Sequence, residues 1–243
     1  LKRPHDVTSG RQERRNTLLD QLRSDYLRRH GRQRNVNNYV QASVAGMKLA
    51  GPEFMNVFEL ENESKDLRAR YGGEFGQRCL LARRLVQTGV RFVEVSFNLN
   101  FINGTGWDTH NEGQKNQHML IRQLDQAFST LLLDLEKHQR LDHTLVVVAT
   151  EFGRPPEFDS RGGRGHYSKA FSIVLAGGGL KTGQVIGATN AKAEHPVARA
   201  LKPDDVLATI YAVMGIDPET TFNDFAGRPV PLVDQGQAIK EIL

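Results

Sequence analysis

The sequence predicts an α/β protein whose sheet contains parallel strands, preceded by a helical segment. Three observations carry that expectation. Residues 144–149, running from Thr144 through the valines 146–148 to Ala149, form a continuous β-branched stretch of the kind buried on both faces of a parallel sheet. Residues 90–97, from Val90 to Phe97, alternate apolar and polar as a strand does. Between the two, residues 114–138 place Leu120, Leu124, Phe128, Leu131 and Leu135 on one helical stripe. Strand, helix and strand in that order imply a βαβ unit.

The other elements follow in chain order. Leu18, Leu19, Leu22 and Tyr26 recur at helical spacing over residues 11–31, with Gly31 as the stop, and a second helical segment covers 37–49. Gly51 and Pro52 break the pattern, and residues 53–67 read as short turns of helix in a polar setting. From Glu74, the residues Phe75, Cys79, Ala82 and Val86 mark one face of a helix that ends at Gly89 and feeds the first strand. Beyond the second strand, a glycine-rich loop leads to an apolar run over 170–176, the glycines 177–179 and a short strand over 184–187. A helix then starts at Pro203 and stops at Gly215, the expected asymmetry of proline inside a helix start and glycine past its end. Residues 216–243 read as loop and tail. The predicted organisation is a helical, N-terminally basic segment over 1–66 and an α/β domain over 67–243.

With 243 residues and 39% hydrophobic content the chain suits one ordinary globular domain with a small appendage. Folding at this size buries roughly 70–75% of the unfolded surface. A single cysteine, Cys79, excludes an internal disulfide and reads as core. The longest apolar runs fall far short of the ~20 residues a spanning helix requires, which excludes a membrane span of that type. Leu1 to His5 lead into polar sequence with no signal-peptide core, and a first residue of Leu instead of Met predicts a processed or truncated chain. The 32 Lys and Arg against 28 Asp and Glu give +4, but residues 1–35 alone hold ten against four, so the remainder is slightly acidic. That basic stretch, with Arg14, Arg15, Arg23, Arg28, Arg29, Arg32 and Arg34, lacks aromatic interleaving apart from Tyr26. It predicts a solvated or subunit-contacting face in preference to a nucleic-acid interface.

In open α/β sheets ligands collect beyond the carboxyl ends of strands. Three polar loops stand there. Residues 104–111 contain Trp107, Asp108, Thr109 and His110, residues 150–154 contain Glu151, Phe152 and Arg154, and residues 162–166 contain Arg164 and His166 among glycines. Together Asp108, His110, Glu151 and His166 compose a hard-to-borderline donor set suited to a divalent metal, zinc first, with manganese, iron or calcium as alternatives. Each residue has a plainer reading: Asp108 or Thr109 as a helix cap, Glu151 paired with Arg154, and His166 in a turn. His118, His138, His143 and His195 read as surface residues. Gly177, Gly178 and Gly179 lack the fingerprint of a phosphate-binding loop, and no nucleophile elbow occurs.

The motif over 106–110, the long helix with Leu124, Asp125, Gln126 and Ala127, the valine strand running into residues 151–155, the His166 turn, and residues 175–179 and 183–189 resemble the C-terminal part of domain-of-unknown-function family 1501. The resemblance is strong over 67–218 and weaker over 11–66. That family is grouped with the alkaline phosphatase and sulfatase superfamily. The resemblance implies a three-layer α/β/α sandwich with a mostly parallel sheet and a metal-supported hydrolytic site at the strand ends. Asp108 and His110 match the superfamily's first ligand pair, Glu151 the Asp of the second, and His166 the last His, while Phe152 stands where the second pair has its His. The superfamily's nucleophile lies N-terminal to every motif here, so the resemblance also implies a preceding portion or partner chain that completes the sheet. Members carry export signals, which implies a periplasmic or extracellular protein.

The expected function is metal-dependent hydrolysis of phosphate or sulfate esters, by this chain or by a protein of which it is the C-terminal portion. Asp108, His110 and His166 would hold the cation. Glu151 would bind a second cation or act as base, and Arg154 and Arg164 would grip the anionic ester substrate. The competing expectation is a non-catalytic binding or assembly protein that keeps a structural metal.

Overall fold

The computed structural model describes residues 7–31, 34–49, 51–96, 107–110 and 113–243. Gly104, Thr105, Gly106, Asn111, Phe97 and Arg32 of the motifs above lie outside them. The chain divides into two compact units, residues 1–62 and 63–243.

The first unit is helical. Helix α1 (Ser9–His30) starts where Thr8 accepts a hydrogen bond from the Arg11 amide at 3.3 Å, and α2 (Arg34–Leu49) follows it. Arg23 of α1 bonds Ser43 of α2 at 3.0 Å and lies 5.7 Å from the centroid of the Tyr39 ring. No residue of α1 is buried, so the stripe of Leu18, Leu22 and Tyr26 is exposed. The break at 51–52 and the short turns beyond it appear as α3 (Pro52–Met55) and two 3-10 turns, Asn56–Phe58 and Leu60–Asn62.

In the second unit α4 (Lys65–Tyr71), α5 (Glu74–Gln87) and α6 (Gly113–Lys137) pack together. Tyr71, Leu80, Leu120, Ala127 and Leu135 are almost fully buried between them, and each larger aliphatic side chain contributes about 1.5–3 kcal/mol on leaving water. Cys79 is buried in the same layer, and burial pushes its thiol up to about 11, so it is an inert core residue. A 3-10 turn, Leu141–His143, joins α6 to strand β1 (Leu145–Val148).

The predicted parallel sheet and three-layer sandwich do not form. Among the described residues there are three two-stranded sheets, all antiparallel. Strand β1 pairs with β2 (Val174–Gly177), Leu145 opposite Gly177 and Val148 opposite Val174. The physical reason lies in the connection. Residues 149–173 contain no helix that could carry the chain back to start a parallel strand, and without a crossover only antiparallel pairing is open. A continuous valine run reports burial propensity, not strand direction. Even the burial is partial, since Val147 remains 38% exposed. The βαβ expectation fails at its first strand as well: residues 90–96 have no ladder partner among the described residues, and Phe92 is exposed. The strand expected over 184–187 is displaced to β3 (Ala188–Thr189), paired with β4 (Pro196–Ala198). Strands β5 (Thr221–Asn223) and β6 (Pro229–Pro231) form a hairpin in the expected tail. No helix among the described residues is long and apolar enough to cross a membrane.

Helix α7 (Pro203–Val213) anchors the C-terminal tail. It ends as expected, with Gly215 in the left-handed region at φ 71°. The Asp205 carboxylate accepts the Lys202 amide at 2.8 Å and the Gln237 amide at 2.9 Å, and Thr209 accepts the buried Ile239 amide at 2.9 Å. Those contacts seat Val233, Ile239 and Ile242, all buried. The Gln237 amide, then the Lys202 amide and the positive charges of Lys202 and Arg199, hold the Asp205 carboxyl below its ordinary value against a smaller opposing effect of burial. A depressed carboxyl contributes stability above the unfolded value near ~4, and the contribution is lost as pH falls through the folded value. Asp205→Ala is expected to lower stability by about 1–2 kcal/mol near neutrality. Urea unfolding at pH 6 and pH 3 checks this: the gap between variant and parent closes in acid, and a pH-independent gap refutes the assignment.

Candidate metal centre

The site is built where the chain enters α6 and where it leaves β1. Residues 108–110 end two residues short of α6, whose first amide, Gly113, donates to the His110 carbonyl at 3.0 Å. Residues 149–167 directly follow β1 and double back on themselves. The return is fixed by an isolated antiparallel bridge in which Gly153 and Tyr167 exchange both amide hydrogen bonds at 3.0 Å. Side chains alternate across such a bridge, so Phe152 and Arg154 on one segment share a face with His166 on the other. Gly153 is required at the bridge because a Cβ there would lie 2.1 Å from the Ala170 carbonyl oxygen.

Two further contacts fasten the α6 entry to this loop. The Arg164 amide donates to the Thr109 carbonyl at 2.9 Å. Arg154 donates from Nη2 to Asp108 Oδ1 at 2.6 Å, and from Nη1 to the Arg164 and Gly165 carbonyls at 3.1 and 3.4 Å. Thr109, between Asp108 and His110, is fully buried.

Asp108, His110 and His166 thereby converge. The two imidazole Nε2 atoms are 3.0 Å apart, and Asp108 Oδ1 is 3.2 Å from His110 Nε2 and 3.8 Å from His166 Nε2. A triangle with those sides has a circumscribed radius of about 2.0 Å, the length of a zinc bond to imidazole nitrogen or carboxylate oxygen. One ion can therefore contact all three atoms at once without moving any of them. A cation of calcium size, with bonds of about 2.3–2.6 Å, fits only by standing well out of the donor plane. The side chains are 26%, 41% and 58% exposed for Asp108, His110 and His166, so the face opposite the protein is open.

The remaining residues singled out in the sequence are placed differently. Glu151 is exposed in the same loop and lies outside the donor cluster. Arg154 grips Asp108 and not open space. The Arg164 guanidinium donates to the Pro155 carbonyl at 2.6 Å and stacks 4.1 Å from the Phe158 ring centroid. Sequence reasoning missed the Gly153–Tyr167 bridge and the contact it creates, in which the Phe152 and His166 ring centroids lie 4.4 Å apart with planes 39° inclined. A single bridged pair leaves no alternation long enough to see.

Searches of curated proteins and of solved structures return no match to the chain. A family model described as protein of unknown function (DUF1501) matches residues 1–243. Since that match takes in the whole of the sequence, both units and the Asp108, His110 and His166 cluster included, the chain belongs to the DUF1501 family.

Proposed function

We propose that this chain is a metal-dependent hydrolase of phosphate or sulfate esters, or the C-terminal portion of one, built around one divalent cation, zinc by preference. The carrying observation is the donor triangle: two imidazoles and a carboxylate at a common radius of about 2.0 Å, fixed by protein on one side and open on the other. Three protein ligands with an accessible remaining position are the arrangement of catalytic zinc, whereas structural zinc is closed by four. The ester class rests on the resemblance of the ordered motifs to the DUF1501 family and on that family's grouping with the alkaline phosphatase and sulfatase superfamily.

When bound, the cation supplies Lewis-acid polarisation of an ester oxygen. The chain's own residues do the rest. Arg154 fixes the orientation of the Asp108 carboxylate, as partners of a ligand commonly do. Its positive charge and the N-terminal end of α6, one turn along the chain from His110, favour an anion at the open face. Glu151, exposed beyond β1, is the carboxylate available to take up a proton.

One observation favours the second reading, a binding or assembly protein with a structural ion. Both nearby arginines are engaged within the protein, and neither guanidinium is left to clamp a substrate. Turnover separates the two. With zinc or manganese added, the chain is expected to hydrolyse p-nitrophenyl phosphate or p-nitrophenyl sulfate, and to lose that activity on chelation and in Asp108→Ala. Elemental analysis is expected to find about one equivalent of metal in the parent and none in Asp108→Ala. A loaded chain that turns over neither ester, with any longer protein of which it is a portion equally inert, establishes the binding reading instead.

A further inference from the structure

We propose that Phe152 is the positioning residue of the metal centre, its ring holding the His166 imidazole in the orientation that brings Nε2 to the other two donors. This rests on the metal-centre reading above.

Phe152 carries no donor atom, so any role at the site must act through its neighbours. It touches two of them. The His166 ring lies against it with centroids 4.4 Å apart, and the Arg154 guanidinium carbon stands 5.5 Å from the centroid of the same ring. Arg154 in turn holds Asp108. A single phenyl ring therefore braces one ligand directly and the holder of a second.

His166 needs such a brace more than the other ligands do. Its side chain is 58% exposed and sits at the end of a loop with glycines at 162, 163 and 165. Besides Phe152, the contacts described for its ring are with the other two donors, His110 at 4.9 Å between centroids and 3.0 Å between Nε2 atoms, and Asp108 at 3.8 Å between polar atoms. The polar contacts meet the ring at Nε2 alone, so the Phe152 face is what fixes the plane of the imidazole about that atom. An apolar ring on one flank also displaces water from that side of the cluster, which strengthens the attraction between a cation and its donors.

The test titrates the metal-free full chain with Zn²⁺ by calorimetry and with Co²⁺ by visible absorption, which reads the coordination geometry. Parent, Phe152→Leu, Phe152→Met, Phe152→Tyr and Asp108→Ala are compared, each with its metal-free urea midpoint. The two ring-free variants are expected to bind about 10-fold or more weakly with an altered Co²⁺ spectrum and an unchanged midpoint. Phe152→Tyr, which keeps the ring, is expected to return affinity to within about threefold of the parent. If either folded ring-free variant matches the parent in affinity and spectrum while Asp108→Ala loses the ion, the role given to Phe152 is wrong and the metal centre stands. If the parent binds neither ion, or Asp108→Ala binds as well as the parent, the metal centre itself is wrong and this role goes with it.

Discussion

Asp134→Ala is expected to destabilise the chain by about 3–5 kcal/mol, on the order of 10 °C in melting temperature for a chain of this size. Asp134 is 2% exposed on α6, and its Oδ2 accepts from the Tyr71 hydroxyl at 2.9 Å and from Arg83 Nε at 2.8 Å. Arg83, 3% exposed on α5, also donates to Gln87 at 2.6 Å and stands 3.0 Å from Glu63. Burial alone would raise the Glu63 carboxyl, but the Arg84 hydrogen bond and the charges of Arg83 and Arg84 outweigh it and hold the group below its ordinary value. Burial first, then the neighbouring Asp134 charge, pushes the Tyr71 phenol far up, so it stays protonated and donating.

Removing the Asp134 carboxylate takes the acceptor from the buried Tyr71 hydroxyl and leaves the Arg83 Nε donor without its carboxylate, although Glu63 and Gln87 still stand at the other end of the guanidinium. The cost of such a deletion is mostly the unpaired charge left behind, not the worth of the pair. That distinction is measurable. The triple variant Asp134→Leu, Arg83→Met, Tyr71→Phe removes Asp134 together with the two groups that donate to its Oδ2 and is expected to be markedly more stable than Asp134→Ala. Urea unfolding of the two decides it: a triple variant as unstable as the single, or a single variant within ~1 kcal/mol of the parent, shows that the network is not the core of the α4, α5 and α6 layer.

That layer is also the part of the structure most legible in the sequence. The stripe of Leu120, Leu124, Phe128, Leu131 and Leu135 sustains a 3.6-residue period over about four turns, and α6 appears within a residue of the expected ends. The strands were poorly legible because each is four residues or fewer, too short for its pattern to specify a partner or a direction. Val90 to Ser96 has the alternation of a strand, yet alternation is a property of side chains, and a ladder also needs an edge to pair with. The site was legible in residue type more than in role. Asp108, His110 and His166 come together, and Glu151, in the same loop as His166, does not join them. The arginines were read by charge as substrate clamps, but a guanidinium with five donors is satisfied just as well by carbonyls and a carboxylate of its own loop, as Arg154 and Arg164 are.

The bridge beneath those residues yields the second large effect. Gly153→Ala is expected to lower stability by about 1–3 kcal/mol and metal affinity by about 10–100-fold. The added Cβ would sit 2.1 Å from the Ala170 carbonyl oxygen and 3.0 Å from the Phe171 Cβ, and the oxygen is backbone that cannot swing aside as a side chain would. To admit the methyl group, one segment must retreat, which breaks the paired Gly153 and Tyr167 hydrogen bonds. That pairing puts Phe152, Arg154 and His166 on one face, so its loss displaces all three. Gly165→Ala is the matched control, because the same added carbon meets nothing within 4 Å although the position adjoins His166. It is expected to leave stability within about 0.5 kcal/mol. Zn²⁺ titration and urea midpoints on both variants read the difference: equal behaviour of the two would mean that the loop reaches its metal-ready shape without the bridge, and that the donor triangle is organised from the α6 side alone.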